Sequence, residues 1–225
     1  MNPRKEFLTG FRDELPLLLG VMPFGMIYGI LALAAGLSTG EAQAMSVIVF
    51  AGSAQFMLVQ LMAVGTPALV IIITGFIINL RHALYSASIA PHIRQLSPLW
   101  KTLLSYLLTD EAYAIAITRY VKRDASRNKH FYFLGAGLAL WSSWQVSTAV
   151  GVFLGAQIPS SWSLDFTLAL TFIAIVVPSL KDRPSILAAL AASVVAVAAS
   201  PLPYKLNLIV AAIVGIAVGL WSEKA

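Results

Sequence analysis

Residues 67–91 read PALVIIITGFIINLRHALYSASIAP. The apolar run from Pro67 to Leu80 makes only about 21 Å of helix at 1.5 Å per residue, and the hydrocarbon core of a bilayer is about 30 Å thick. A helix that begins at Pro67 must therefore continue past Arg81 and His82. Pro91 is its natural stop, because proline lacks an amide donor and biases the preceding residue away from helix. The stretch reads as a membrane helix over 67–90 that carries Asn79, Arg81 and His82 inside the bilayer.

The rest of the chain fits that reading. Of 225 residues, 59% are hydrophobic and 11% charged; a soluble domain carries about 25% charged residues. Apolar segments recur at about Leu15–Gly36, Ala42–Ala63, Pro67–Ala90, Thr102–Thr118, Phe131–Gln157, Leu164–Leu180, Pro184–Ala199 and Leu206–Trp221. The expected fold is an all-α integral membrane protein: one polytopic transmembrane domain over residues 1–225, with about eight membrane helices and some of them broken. A count of seven is the alternative, because the last three segments are short. The first apolar run is too long for a cleavable signal peptide. No internal sequence repeat stands out.

The net charge of +5 comes from Lys and Arg residues set between apolar segments. This is a topology signal rather than a nucleic-acid patch. With straight crossings and the N-terminus inside, 11 of the 15 Lys and Arg residues lie on the inner face. Arg94, Lys101 and Lys205 lie outside, and Arg81 lies within the membrane. Both termini are then expected in the cytoplasm. Trp100, Trp162 and Trp221 fall near membrane interfaces, and Asp165 stands at the start of the sixth segment, where it suits a helix cap.

Two ionisable clusters sit at mid-membrane: Asn79, Arg81 and His82 in the third segment, and Asp110 with Glu111 in the fourth. A charge there costs about 2.5–3.5 kcal/mol on insertion scales and marks a substrate or ion pathway by default. Arg81 stands ten residues before Pro91, and Asp110 nine after Lys101. Both lie about 15 Å below one surface, so a cation and two carboxylates share a level. The plain alternative is an ion pair that only joins two helices. His82 taken by itself fits a hydrogen-bonded packing residue. In the first segment, Pro23-Phe24-Gly25 with Tyr28 and Gly29 marks either a broken helix or a small-residue seam. The Gly-xxx-Gly spacing recurs at Gly36/Gly40, Gly151/Gly155 and Gly215/Gly219. Gly52 and Ser53 can interrupt the second segment, where Gln55 places an amide at mid-depth. Ser142, Ser143 and Gln145 form a polar stripe in the fifth.

Three function classes compete. A secondary transporter for a small zwitterion fits the charged mid-membrane groups; with no P-loop, the chain does not itself hydrolyse ATP. An intramembrane enzyme would need a Ser–His pair or His-Glu-x-x-His; Ser53 with His82 offers the first only in principle. A channel or assembly subunit would draw its ring of ligands from symmetry, which one chain does not display. With no cysteine, thiolate chemistry and cysteine-based metal sites are excluded.

Several motifs together resemble the AzlC family. They are Pro23–Gly29 (PFGMIYG), Phe50–Phe56 (FAGSAQF), Asn79–Ser86 (NLRHALYS), Ala90–His92 (APH), Leu108–Tyr113 (LTDEAY) and the region from Leu164-Asp165-Phe166 to Lys181-Asp182-Arg183. They span nearly the whole chain in order. The resemblance implies export of branched-chain amino acids (Leu, Ile, Val) across the bacterial cytoplasmic membrane. It also implies a small AzlD-type membrane subunit as partner, with no cofactor or metal. Within that frame Arg81 suits the substrate carboxylate, and Asp110 or Glu111 suits the ammonium or a coupling proton. Asn79, His82, Gln55 and Ser53 add polar groups. Pro23, Gly25 and Gly52 would open the backbone, and Tyr28 and Phe56 would line an apolar pocket.

Overall fold

The computed structural model describes residues 2–122, 128–157, 177, 180, 182–203 and 206–223. The sixth apolar segment, with Trp162, Asp165 and Lys181, lies almost wholly outside the described residues, as do Arg123, Arg127, Lys205 and Lys224. The helices are α1 (Pro3–Ala34), α2 (Thr39–Ile48), α3 (Gly52–Ala63), α4 (Ala68–Asn79), α5 (Arg81–Ile93), α6 (Pro98–Tyr106), α7 (Asp110–Lys122), α8 (Lys129–Gly155), α9 (Arg183–Ala198) and α10 (Leu206–Glu223). No strand occurs among the described residues. Pro3–Ala34, Ala68–Ile93 and Leu206–Glu223 are long and apolar enough to cross a membrane. The all-α membrane fold with broken helices is thus what the chain adopts.

Local sequence sets the helix ends. The Asn2 side chain accepts the Arg4 amide at 3.1 Å, and Pro3 stands in the first turn, so α1 begins twelve residues before the predicted start at Leu15. It stops at Gly36, whose φ of +90° suits glycine; Gly36 and Gly40 have nothing close by, so that spacing is a helix stop and not a seam. Ser38 and Glu41 form a capping box that opens α2.

The chain divides into two compact units. The first, Met1–Ala63 with Gly75–Ile158, is organised by α1 and α8. Gly10 abuts Tyr132, Gly25 lies against Ser147, and Gly155 approaches Ile30, so the two helices run parallel along their length. Pro16 and Pro23 sit inside a continuous α1, because that packing holds the helix on both sides of each. The expectation of a break at Pro23–Gly25 is corrected; Gly25 and Gly29 are a seam.

The second and fourth apolar segments are each broken in two, and their halves fold back. Along α8, Trp100 of α6 packs on His130 and Phe131, Tyr106 meets Trp141, and Leu107 meets Gly137. On α7 the course reverses, and the Tyr120 hydroxyl donates to the Lys129 carbonyl. α6 and α7 thus enter and leave by the same end. Their lengths of about 14 and 20 Å each suit half a bilayer. The α2–α3 pair does the same from the opposite end: α2 descends from Ala42, bonded by Tyr28, to Ser46, bonded to Thr148. Gly52 then packs under Trp144, and α3 climbs back so that Phe56 meets Tyr28. Pro91 lies within α5, which ends at Ile93. Trp100 is therefore a packing residue at the foot of the α6–α7 hairpin.

The second unit, Val64–Thr74 with Pro159–Ala225, contains α9 and α10 as an antiparallel pair. Gly215 packs on Ala192, Gly219 on Ala188, and Asn207 donates to the Ala196 carbonyl at 2.9 Å. Asp182 caps α9 through the Ser185 amide at 2.8 Å, and that bond holds its carboxyl below the ordinary range.

Candidate functional site

The two hairpins meet tip to tip. The Tyr106 hydroxyl, at the end of α6, donates to the Val47 carbonyl at 2.7 Å and accepts from the Trp141 indole at 2.7 Å. The Phe50 and Tyr106 rings lie 6.1 Å apart. The backbone breaks at Val49–Ala51 and Leu107–Thr109 thus lie together, and within a bilayer such irregular backbone occurs only where protein or a cavity surrounds it.

Arg81 and Asp110 meet beside the tip of the α6–α7 hairpin, Nη1 to Oδ2 at 2.9 Å. They do so because α5 and α7 run parallel: Tyr85 stacks on Tyr113 at 4.5 Å, Tyr113 bonds Ser88 at 2.9 Å, and His92 packs on Tyr120. Each of the pair opens a half-helix. Asp110 and Glu111 suit the positive N-terminal end of α7, whereas Arg81 faces the same end of α5 unfavourably. The ion pair offsets that cost. Its side chains are 33% and 39% exposed, so it is open rather than enclosed. Arg81 Nε, Asp110 Oδ1, Asn79 Oδ1 and His82 Nε2 are buried and carry no hydrogen bond, which leaves capacity for a polar ligand.

A second group surrounds the tip of the α2–α3 hairpin. Tyr28 is 0% and Phe56 3% exposed, with Phe56 edge-on to Tyr28 and Phe24, and Tyr28 stacked on Trp144. These rings are closed core in this conformation rather than an open pocket. Gln55 is fully buried beside Tyr28, yet neither amide atom closes a hydrogen bond; Ser53 Oγ, Ser143 Oγ and Trp144 Nε1 are likewise unpaired. Gln145 bonds Gln43 at 2.8 Å.

A cleft of about 280 Å³ lies between α5 and α6. Arg94 and Lys101 line one end of it, and Ser86 and Leu108 line it near the tip. Ile89, Ile93 and Leu104 give it apolar walls.

The sequence reading missed a third polar group, on α1. Glu6 is fully buried and bonded to Arg119 at 3.1 Å; Arg119 covers the Tyr132 ring, and the Tyr132 hydroxyl donates to Asp13 at 2.6 Å. Glu14, also fully buried, has both oxygens unpaired. The signal was in the spacing: Glu6, Gly10 and Glu14 fall four apart, on one helix face.

The family model described as AzlC protein matches residues 16–158. Inner membrane protein YgaZ of Escherichia coli is 28% identical over 80% of this chain and 76% of its own length. The branched-chain amino acid transport protein AzlC of Bacillus subtilis is 26% identical over 78% of this chain and 70% of its own. An uncharacterized membrane protein of Archaeoglobus fulgidus is 29% identical over 79% and 77%. No solved structure matches. The chain belongs to the AzlC family and is a multi-pass membrane protein; the relative with a functional name supports membrane transport as the function class.

Proposed function

We propose that this AzlC-family chain exports branched-chain amino acids across the bacterial cytoplasmic membrane, together with a small AzlD-type membrane subunit. The observation that carries the reading is the Arg81–Asp110 pair, half-open at a hairpin tip among unpaired polar atoms. A zwitterion completes such a site: its carboxylate takes the guanidinium fork and its ammonium takes Asp110. The cleft with Ile89, Ile93 and Leu104 suits an aliphatic side chain, and its Arg94 and Lys101 end favours arrival of a carboxylate. The relative named for branched-chain amino acid transport supports the substrate class. Cells preloaded with radiolabelled leucine should lose it faster when the chain and its small subunit are expressed together. Unchanged efflux of leucine, isoleucine and valine would overturn the assignment. Full transport by the purified single chain in liposomes would remove the need for the partner.

The proposed orientation puts both termini in the cytoplasm. Glu6 on Arg119 brings the N-terminus to the end shared by α7 and the start of α8, and the α6–α7 hairpin brings Arg94 and Lys101 to it as well. Arg94 and Lys101, which straight crossings put outside, then stand on the cytoplasmic side with Arg4, Lys5, Arg12 and Lys129. That bias is steeper than straight crossings give. The chain has no cysteine, so single reporters are clean. Ser97→Cys and Asn128→Cys should resist an impermeant thiol reagent in intact cells. Straight crossings instead require Ser97→Cys to be labelled from outside.

A further inference from the structure

Glu14 has no task in the substrate site above. It lies on α1 with no exposed surface, and neither carboxylate oxygen has a hydrogen-bond partner. Its electrostatic neighbour is Glu111, second residue of α7 at the tip of the α6–α7 hairpin. Glu111 is itself approached by the Thr109 hydroxyl and its own amide, so it is anchored while Glu14 is not. The next residue in the tip is Asp110, whose other side holds Arg81. A row of three carboxyls thus runs from the α1 face to the open ion pair. Below it, toward the cationic end, stand Asp13 bonded to Tyr132, and Glu6 bonded to Arg119.

We propose that Glu14 and Glu111 form the proton-binding site of the transporter, next to and distinct from the Arg81–Asp110 substrate site. The inference rests on the transport reading given above. An unbonded ionised carboxylate in a membrane interior is costly, and two adjacent ones cost more. One proton on the pair removes the repulsion and leaves a single negative charge between them. Ionisable groups on the elements packed around this stretch of α1 include Asp110, Glu111 and Arg119 of α7 and Lys129, His130 and Tyr132 of α8, with Glu6, Arg12 and Asp13 on α1 itself; α3 has none. Arg119 is engaged by Glu6 and the Tyr132 ring. Through Glu111 and Asp110, protonation reaches the substrate site along one turn of α7. With the proton bound, the pair adds one negative charge near Asp110 instead of two; when it leaves, the second charge returns beside the ammonium ligand. Loading and release of substrate are thereby tied to proton movement, and an inward proton drives outward substrate.

Glu14→Gln keeps the shape and removes the titration. In liposomes holding the chain with its small subunit, an imposed pH gradient should speed leucine flux at least about tenfold in the wild type. In Glu14→Gln that acceleration should vanish, while leucine exchange with no gradient stays within about twofold. A substrate-independent reading comes from infrared spectroscopy of the purified wild-type complex, which should carry a protonated-carboxyl band that Glu14→Gln removes. Retained acceleration in Glu14→Gln, a gradient response to sodium in place of protons, or a band that Glu14→Gln leaves intact would each overturn the proposal. If no leucine moves in the wild type, the substrate assignment fails, and the infrared band still decides whether Glu14 binds a proton.

Discussion

Gly151→Val should leave little or no folded protein in the membrane, the largest structural effect expected of any single substitution here. A methyl group at Gly151 collides with the Met26 carbonyl, and Gly10 and Gly135 meet the Tyr132 and Phe7 carbonyls in the same way. These are backbone atoms of neighbouring helices, so no rotamer change makes room. The helices must move apart, and with them the surface on which both hairpins pack. Overpacking a deformable core costs about 1–3 kcal/mol; a backbone collision along the main helix pair should exceed the upper figure. Total stabilities are about 5–15 kcal/mol. Gly20 has open space around it, so Gly20→Ala should be neutral or stabilising by up to about 1 kcal/mol. Membrane abundance and thermal unfolding in detergent measure both. Wild-type melting in Gly151→Val would refute the parallel α1–α8 seam.

The seam was half legible in the sequence. Gly25-xxx-Gly29 and Gly151-xxx-Gly155 are the right spacing, but nothing in one sequence says that the first segment pairs with the fifth. Four spaced pairs looked alike, and only packing distinguished the stop at Gly36 from the seams. Pro23 suggested a broken helix; continuous contact with α8 overrode that local preference. The depth of Arg81 and Asp110 could be counted from Pro91 and Lys101, and the two side chains do meet. The path that brings them together could not be counted. A straight crossing and a hairpin of two halves have the same apolar length, and only Gly52 and the Leu107–Thr109 break separate them. Glu6 and Glu14 were hidden by composition: six charges from Arg4 to Glu14 look like a solvated leader, although Glu6, Gly10 and Glu14, four apart, share a buried face.

Arg81→Gln should cut leucine export by about 10- to 100-fold, since hydrogen bonds to a charged group contribute about 1.5–3 kcal/mol and each 1.4 kcal/mol is tenfold. The same substitution leaves Asp110 without its cation at a hairpin tip. Breaking a buried pair costs about 3–5 kcal/mol; this pair is a third exposed, so the loss of folded protein should be smaller. An activity defect alone therefore does not separate a clamp for substrate from a strut between α5 and α7. The charge swap Arg81→Asp with Asp110→Arg does. Both positions open a half-helix, so the exchange leaves one favourable and one unfavourable charge at the helix ends, as before. The attraction between α5 and α7 is also kept. Membrane abundance and unfolding temperature should return to near wild type. Export should not, because the carboxylate and ammonium of the substrate would each meet a like charge where they now meet a partner, and an L-amino acid cannot reverse its ends without misplacing its side chain. A strut predicts recovery of both quantities together. Wild-type export by the swapped protein would exclude Arg81 as the carboxylate clamp.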